Sequence, residues 1–174
     1  MKQTHIQLLK NIVRRLPTAA KAIVLVLLPN FIWAQGHWMS ESDETEMAYQ
    51  TADSSIRDEY ATKDVVPRLE FHCTPGDSSI IARIDWKRFI SSFSTEVGFK
   101  KDGGKFTWLK WKVDGSEKVT YSPSATDTEK LIAAIDGGKN LLVDIAPYSE
   151  APITVNFDLE GFAAALEQLK NSCR

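Results

Sequence analysis

The chain has 174 residues, with 21 Lys and Arg against 23 Asp and Glu, so it is nearly neutral and long enough to bury a core. Its basic residues are unevenly spread, because residues 1–34 contain five of them and no acidic residue. Residues 35–174 therefore carry 16 basic and 23 acidic side chains, a net charge of −7. A domain this acidic is a poor ligand for nucleic acid, and we expect no nucleic-acid partner.

Residues 1–34 have the pattern of a secretory signal peptide. The basic leader MKQTHIQLLKNIVRRLPTAAK precedes a short apolar run, AIVLVLLPNFIWA. That run is shorter than the ~20 apolar residues that span a bilayer, and it contains Pro29. We predict cleavage after Ala34, with an uncleaved membrane anchor as the alternative. Cleavage would leave a single β-rich domain, residues 35–174, in the periplasm of a Gram-negative bacterium, without stable membrane insertion.

The mature chain begins with a polar segment and continues with a series of strands. Residues 36–67 predict only one or two short strands, around Met47–Tyr49 and Ser54–Arg57. The segments RLEFHC and SIIARIDW alternate between apolar and polar residues, which is typical of strands with one face in the core. The residues expected on that face are Leu69, Phe71, Cys73, Ile80, Ala82, Ile84 and Trp86. STEVGFK, KFTWLKWKV and EKVTYS continue the series, with turns at KDGGK and Asp114-Gly115.

Two helices and two further strands complete the predicted elements. TDTEKLIAAIDGG predicts a helix that begins with a capping box of Thr126 and Glu129 and ends at Gly137-Gly138. The strands NLLVDIAPY and PITVNF follow, and we expect Asp158 to cap a final helix. The apolar face expected for that helix consists of Leu159, Phe162, Ala163, Leu166, Leu169 and Cys173. The prediction is a mainly β fold, an antiparallel β-sandwich or barrel-like domain with two short helices.

Cys73 and Cys173 are the two cysteines of the chain, and both follow the export signal. The simplest interpretation is one disulfide that ties the C-terminal helix to an early strand. Two free buried thiols or a metal site are the alternatives. Of the histidines, only His37 and His72 would remain after cleavage, so we predict neither a metal nor another cofactor.

The aromatic residues are the candidates for binding. We expect Trp86 to lie inside, in phase with its strand. Trp108 and Trp111 have opposite parity on one strand, so at least one should face outward. We therefore predict a partner-binding surface that includes Trp108, Trp111, Lys110 and Phe89. The alternative is that these rings only pack across a sheet.

The sequence contains no pattern that assigns catalytic residues. It lacks a nucleophile-elbow motif, a phosphate-binding loop and a dinucleotide fingerprint. A pair of carboxylates for glycoside hydrolysis is defined by a distance in space, so the sequence leaves this possibility open, and four acidic residues are available for such a role. These are Asp85, Glu96, Asp114 and Asp144.

Several segments resemble the type VI secretion-associated VasI/TagO-like family. They are PRLEFHC, IDWKRF and the closing APYSEAPITVNFDLEGFAAALEQLKNSC, together with the early GHWMSESDETEM. The correspondence includes Cys73, Trp86 and Cys173, and the closing run Phe157, Asp158, Leu159, Gly161, Phe162 and Leu166. The resemblance implies an exported, non-enzymatic accessory protein that contacts an envelope or secretion-apparatus protein. A periplasmic inhibitor or immunity protein against a toxin or envelope hydrolase is the alternative, and a cell-wall enzyme is the third possibility.

Overall fold

Antiparallel strands dominate the structure. The computed structural model describes residues 38–174, which lie within one compact unit. The strands in that range are β1 (Met39–Ser42), β2 (Glu46–Thr51), β3 (Ile56–Asp58), β4 (Lys63–Val65), β5 (Arg68–Cys73), β6 (Ile81–Asp85), β7 (Thr95–Lys101), β8 (Thr107–Val113), β9 (Val119–Tyr121), β10 (Asn140–Ile145) and β11 (Ile153–Asp158). The helices are α1 (Ala125–Ile135) and α2 (Phe162–Ser172).

Nine of these strands form one continuous sheet in the order β1-β2-β5-β6-β9-β8-β7-β10-β11. Strands β3 and β4 form a separate hairpin. The large sheet does not close into a barrel, although the chain just after β2 returns to the β11 edge, where the Asp53 amide donates to the Asn156 carbonyl at 2.9 Å. The predicted class, mainly β and antiparallel with two short helices, is confirmed.

The core follows the alternation read from the sequence. Leu69 and Phe71 of β5 point inward, as do Ala82 and Ile84 of β6, and Trp86 lies fully buried beyond the end of β6. The inward residues of β7, β10 and β11 belong to the same apolar cluster as these side chains. One face of the sheet therefore supplies a shared core, and the opposite face is left for polar residues.

The segment before Arg68 is more ordered than its sequence predicts. It contains four strands, β1 to β4, where one or two were expected. Strand β1 is exposed at every position, so it carries no burial pattern that sequence reasoning could detect. Its order comes from pairing with β2, which in turn pairs with β5 over the full length of both strands.

Both helices begin differently from the prediction. Ser124, not Thr126, is the N-cap of α1, and its hydroxyl accepts the Asp127 amide at 3.2 Å. Gly161 is the N-cap of α2 with a φ of 83°, a left-handed conformation that glycine adopts without a steric penalty. Asp158 instead accepts the Glu160 amide at 2.8 Å, within the turn before the helix.

The two helices cover the core at different places. Helix α1 packs near β6, where the buried hydroxyl of Thr128 accepts the Ala82 amide at 3.0 Å. Helix α2 lies against β1, β2 and β5, and Phe162 contacts the rings of Trp38 and Phe71 at centroid distances of 5.0 and 5.2 Å. Ala165 rather than Ala163 completes its buried face.

A disulfide joins Cys73 at the end of β5 to Cys173 after α2, with the Cα atoms 5.9 Å apart. The predicted pairing of these cysteines is confirmed. The C-terminal turn is also held by a backbone hydrogen bond, because the Gly76 amide donates to the Cys173 carbonyl at 3.0 Å. The end of the chain is therefore part of the core structure.

The predicted signal peptide, residues 1–34, and its boundary at Ala34 lie outside the described residues and stay predictions. Neither helix found between residues 38 and 174 has the length and apolar character needed to cross a bilayer.

Candidate functional site

Phe89 belongs to a group of aromatic side chains at the ends of three loops, which we call the aromatic rim. Its members are Tyr60, Phe89, Phe93 and Tyr148. Tyr60 is 71% exposed, Phe93 63% and Tyr148 60%, whereas Phe89 is partly covered. The rings form two edge-to-face pairs, Tyr60 with Phe89 at 5.7 Å and Phe93 with Tyr148 at 6.0 Å between centroids. Exposed large apolar side chains in such a group are typical of an interaction surface.

The rim is held in place by a buried arginine. The Arg88 guanidinium donates to the carbonyl of Arg57, to the carboxylate of Glu150 and to the carbonyl of Phe89. Its side chain is almost fully buried, so the charge is stabilised by these acceptors and not by water. The Tyr148 amide also donates to the Ile90 carbonyl at 2.8 Å. These bonds tie the chain at Phe89 and Ile90 to strand β3 and to the loop that carries Tyr148 and Glu150.

Trp108 and Trp111 lie on opposite faces of β8. Trp111 is fully buried and packs against Phe99 at a centroid distance of 5.1 Å. Its predicted place on a binding surface is therefore wrong, because the inward parity of β8 puts it in the core. Trp108 points outward and is 49% exposed.

Trp108 lies against Gly98 on the neighbouring strand. The two residues are direct partners in the β7–β8 register, and a Cβ atom on Gly98 would be 2.9 Å from the indole Cζ3 and Cη2 atoms. The absence of a side chain at Gly98 lets the indole approach the sheet. Phe106 packs beside it at 5.5 Å with an interplanar angle of 30°.

Lys110 extends this surface along the same strand. Lys110 and Lys112 are exposed on the outward face of β8, and the Lys100 ammonium lies 4.8 Å from the centre of the Phe106 ring. We call the row formed by Lys100, Phe106, Trp108, Lys110 and Lys112 the basic stripe. The structure thus separates the predicted surface into two: Phe89 belongs to the rim, and Trp108 with Lys110 belongs to the stripe.

Sequence reasoning missed a buried charge on the outer face of β5. Glu70 is almost fully buried and accepts hydrogen bonds from Arg68 and from His72, the latter at 2.7 Å. Burial acts to raise the pKa of Glu70, but these hydrogen bonds and charges outweigh it and hold that pKa below its ordinary value. The same carboxylate raises the pKa of Arg68 despite its partial burial. A signal existed, since Arg68, Glu70 and His72 occupy alternate positions of one strand.

The residues considered for metal binding do not converge within residues 38–174. No group of three or more His, Cys, Asp or Glu side chains there has an arrangement that could hold a metal ion. Cys73 is in the disulfide, and His72 is hydrogen-bonded to Glu70. His37 lies outside the described residues.

Comparison with known proteins gives one family match. The model of the IalB family, described as invasion associated locus B protein, matches residues 108–170, from Trp108 to Lys170. No curated protein matches the chain. Among solved structures, the crystal structure of invasion associated protein B from Bartonella henselae matches with a TM-score of 0.49 and 16% identity, over 78% of this chain and 92% of that chain.

The predicted relation to type VI secretion-associated VasI/TagO-like proteins is wrong. The IalB family model covers the closing segment, Phe157 to Leu166, on which that resemblance chiefly depended. The shared residues are explained by the fold: Phe157 and Leu166 fill the core, and Gly161 starts α2. Residues with such structural roles recur in unrelated proteins and do not identify a secretion system.

Proposed function

We propose that the chain is an exported, non-enzymatic accessory protein that binds another protein through the aromatic rim. The observation that carries the proposal is the exposure of Tyr60, Phe93 and Tyr148 around the buried Arg88, which joins strand β3 to Glu150. Rigid aromatic side chains contribute much of the free energy at protein interfaces, because they bury a large area at a small cost in conformational entropy.

Two further observations support this role. The match of residues 108–170 is to a family described as invasion associated, so an accessory role in invasion is the setting that we propose. The disulfide suits an oxidising compartment, which agrees with export to the periplasm. The partner would then be an envelope protein.

Site-specific photocrosslinking tests the proposal directly. A photoreactive phenylalanine analogue would replace Tyr148 in the rim and, as a control, Gln168 on the exposed side of α2. We expect one discrete adduct from the rim position, and we expect Phe93→Ala to abolish it. Equal adducts from both positions, or none from the rim in cells that export the protein, would contradict the proposal.

A second candidate is a periplasmic inhibitor of a toxin or envelope hydrolase. The net charge of −7 in residues 35–174 favours this, since it would steer the protein towards a basic enzyme. Identification of the crosslinked partner separates the two: an inhibitor would lower the activity of that partner in a purified assay. Turnover of purified peptidoglycan by the chain itself would contradict both candidates in favour of an enzyme.

The proposed export has its own test. The basic leader and the apolar run before Ala34 predict that the mature protein begins at or near Gln35. Intact mass of the protein from the periplasmic fraction measures this. Recovery of only the full-length chain in the inner membrane would support an uncleaved anchor.

A further inference from the structure

We infer that the basic stripe binds an acidic polysaccharide, with the Trp108 indole stacked on a sugar ring and the lysines paired with its acidic groups. This inference does not depend on the rim or on the function proposed for it. It rests on the charge, the geometry and the linear shape of the stripe.

The charge of the stripe is opposite to that of the domain. Lys100, Lys110 and Lys112 make no ion pair within the described residues, although other lysines, such as Lys130 and Lys170, are paired with acidic neighbours. Lys105, in the turn between β7 and β8, is exposed and unpaired within the same range. The outward acidic residue directly opposite is Glu96, the register partner of Lys110. The local excess of positive charge is complementary to an anionic ligand.

The position of Trp108 suits a sugar ring. Its side chain lies over Gly98, and half of its surface stays open to solvent. One face of a pyranose ring presents C–H groups, which pack on an aromatic face, while its hydroxyl and acidic groups remain at the ring edge. Phe106, tilted by 30° from Trp108 and with the Lys100 ammonium over its ring, lies beside the indole, so the lysine is held next to the stacking site.

The stripe is a row, and this favours a polymer over a compact ligand. Alternate residues of a strand point to the same face, and each residue adds about 3.3 Å, so the segment from Phe106 to Lys112 extends over about 20 Å. Such a length accommodates several consecutive sugar units. Aromatic rings between basic residues also bind single-stranded nucleic acid. Trp108 is the exposed ring of the stripe, whereas single-stranded nucleic acid stacks successive bases on several aromatic side chains, so a glycan is the better match.

Binding of a defined heparin decasaccharide to the purified mature protein, measured by fluorescence polarisation at low salt, tests the inference. We expect Trp108→Ala to weaken binding about tenfold, the size of one lost stacking contact. The double variant K110E/K112E should weaken it further, and added salt should weaken wild-type binding because it screens the lysines. Two matched controls, Lys170→Ala on α2 and Phe93→Ala in the rim, should leave binding unchanged.

Several outcomes would overturn the inference. Absence of heparin binding at low salt would do so, as would binding that neither Trp108→Ala nor K110E/K112E changes. Tighter binding to an oligodeoxythymidine of equal charge would assign the stripe to nucleic acid instead. Circular dichroism establishes whether each variant is folded. If Trp108→Ala does not fold, K110E/K112E still tests the inference, because it alters only exposed residues. If the wild-type rim gives no crosslink but heparin still binds, the proposed function is contradicted and the inference about the stripe is not.

Discussion

The aromatic rim and the basic stripe expose aromatic rings by different structural means. The rim brings together three loops that are distant in sequence, and its geometry depends on one buried cation, Arg88. The stripe lies mainly along alternate positions of β8, with Lys100 contributed by the neighbouring β7 that also contains Gly98. The rim is therefore coupled to the stability of the fold, whereas the stripe can be altered with little effect on it. The following predictions test this difference.

The largest effect is expected from the disulfide, which supports both surfaces through the common scaffold. It closes a loop of 100 residues, so Cys173→Ser should lower the free energy of unfolding by up to about 4.7 kcal/mol in the loop-entropy model. Urea denaturation measures this, with Ser172→Ala as the neighbouring control. If neither the substitution nor a reductant changes the free energy of unfolding, the disulfide does not stabilise the fold.

Arg88→Ala should distinguish the two surfaces. It leaves Glu150 and the Arg57 carbonyl without their donor, and breaking a buried pair of this kind costs about 3 kcal/mol. Urea denaturation should show this loss, and the rim crosslink should disappear, while heparin binding persists below the melting temperature. The exposed Arg57→Ala is the control. Equal loss of function at both surfaces would refute their independence.

The buried charge of Glu70 should make the stability of the fold sensitive to acid. Because the pKa of Glu70 is lower in the folded than in the unfolded state, its contribution to stability is present above the unfolded pKa. That contribution is lost as the pH falls through the folded value. The stability difference between wild type and Glu70→Gln should therefore shrink on acidification below about pH 4. Glu167→Gln, which changes an exposed carboxylate, should show no comparable trend.

The smallest expected effect is a difference in iodide quenching between the exposed and the buried tryptophans. Iodide should quench Trp108 fluorescence in a variant that retains only this tryptophan, since its indole is half exposed and close to lysines. The corresponding variants with Trp86 or Trp111 alone should resist quenching, because both side chains are fully buried. If Trp108 is as protected as Trp111, the open indole face that the stripe requires does not exist.

Much of the β fold could be predicted because its strands have one buried face. Leu69, Phe71, Val143 and Phe157 all lie inside, as alternation requires. Strand β1 was missed because all its residues are exposed and its order comes from a neighbour. The capping role of Ser124 was missed because Thr126 offers an equally plausible local pattern. The type VI relation failed because residues needed for a strand, a turn and a helix were taken as signs of function.

The sequence by itself determined the alternation of β8, and so it predicted that Trp108 and Trp111 would point to opposite faces. It also supplied the two cysteines, whose pairing required only that β5 and α2 share a core. Tertiary structure alone decided which tryptophan faces inward, since that depends on the side on which Phe99 and the helices pack. It also decided the rim, because the acceptors of Arg88 come from segments that lie 31 and 62 residues away along the chain. The periodicity of apolar residues within one segment cannot predict contacts over such separations, because these contacts form only when the sheet and its loops are assembled.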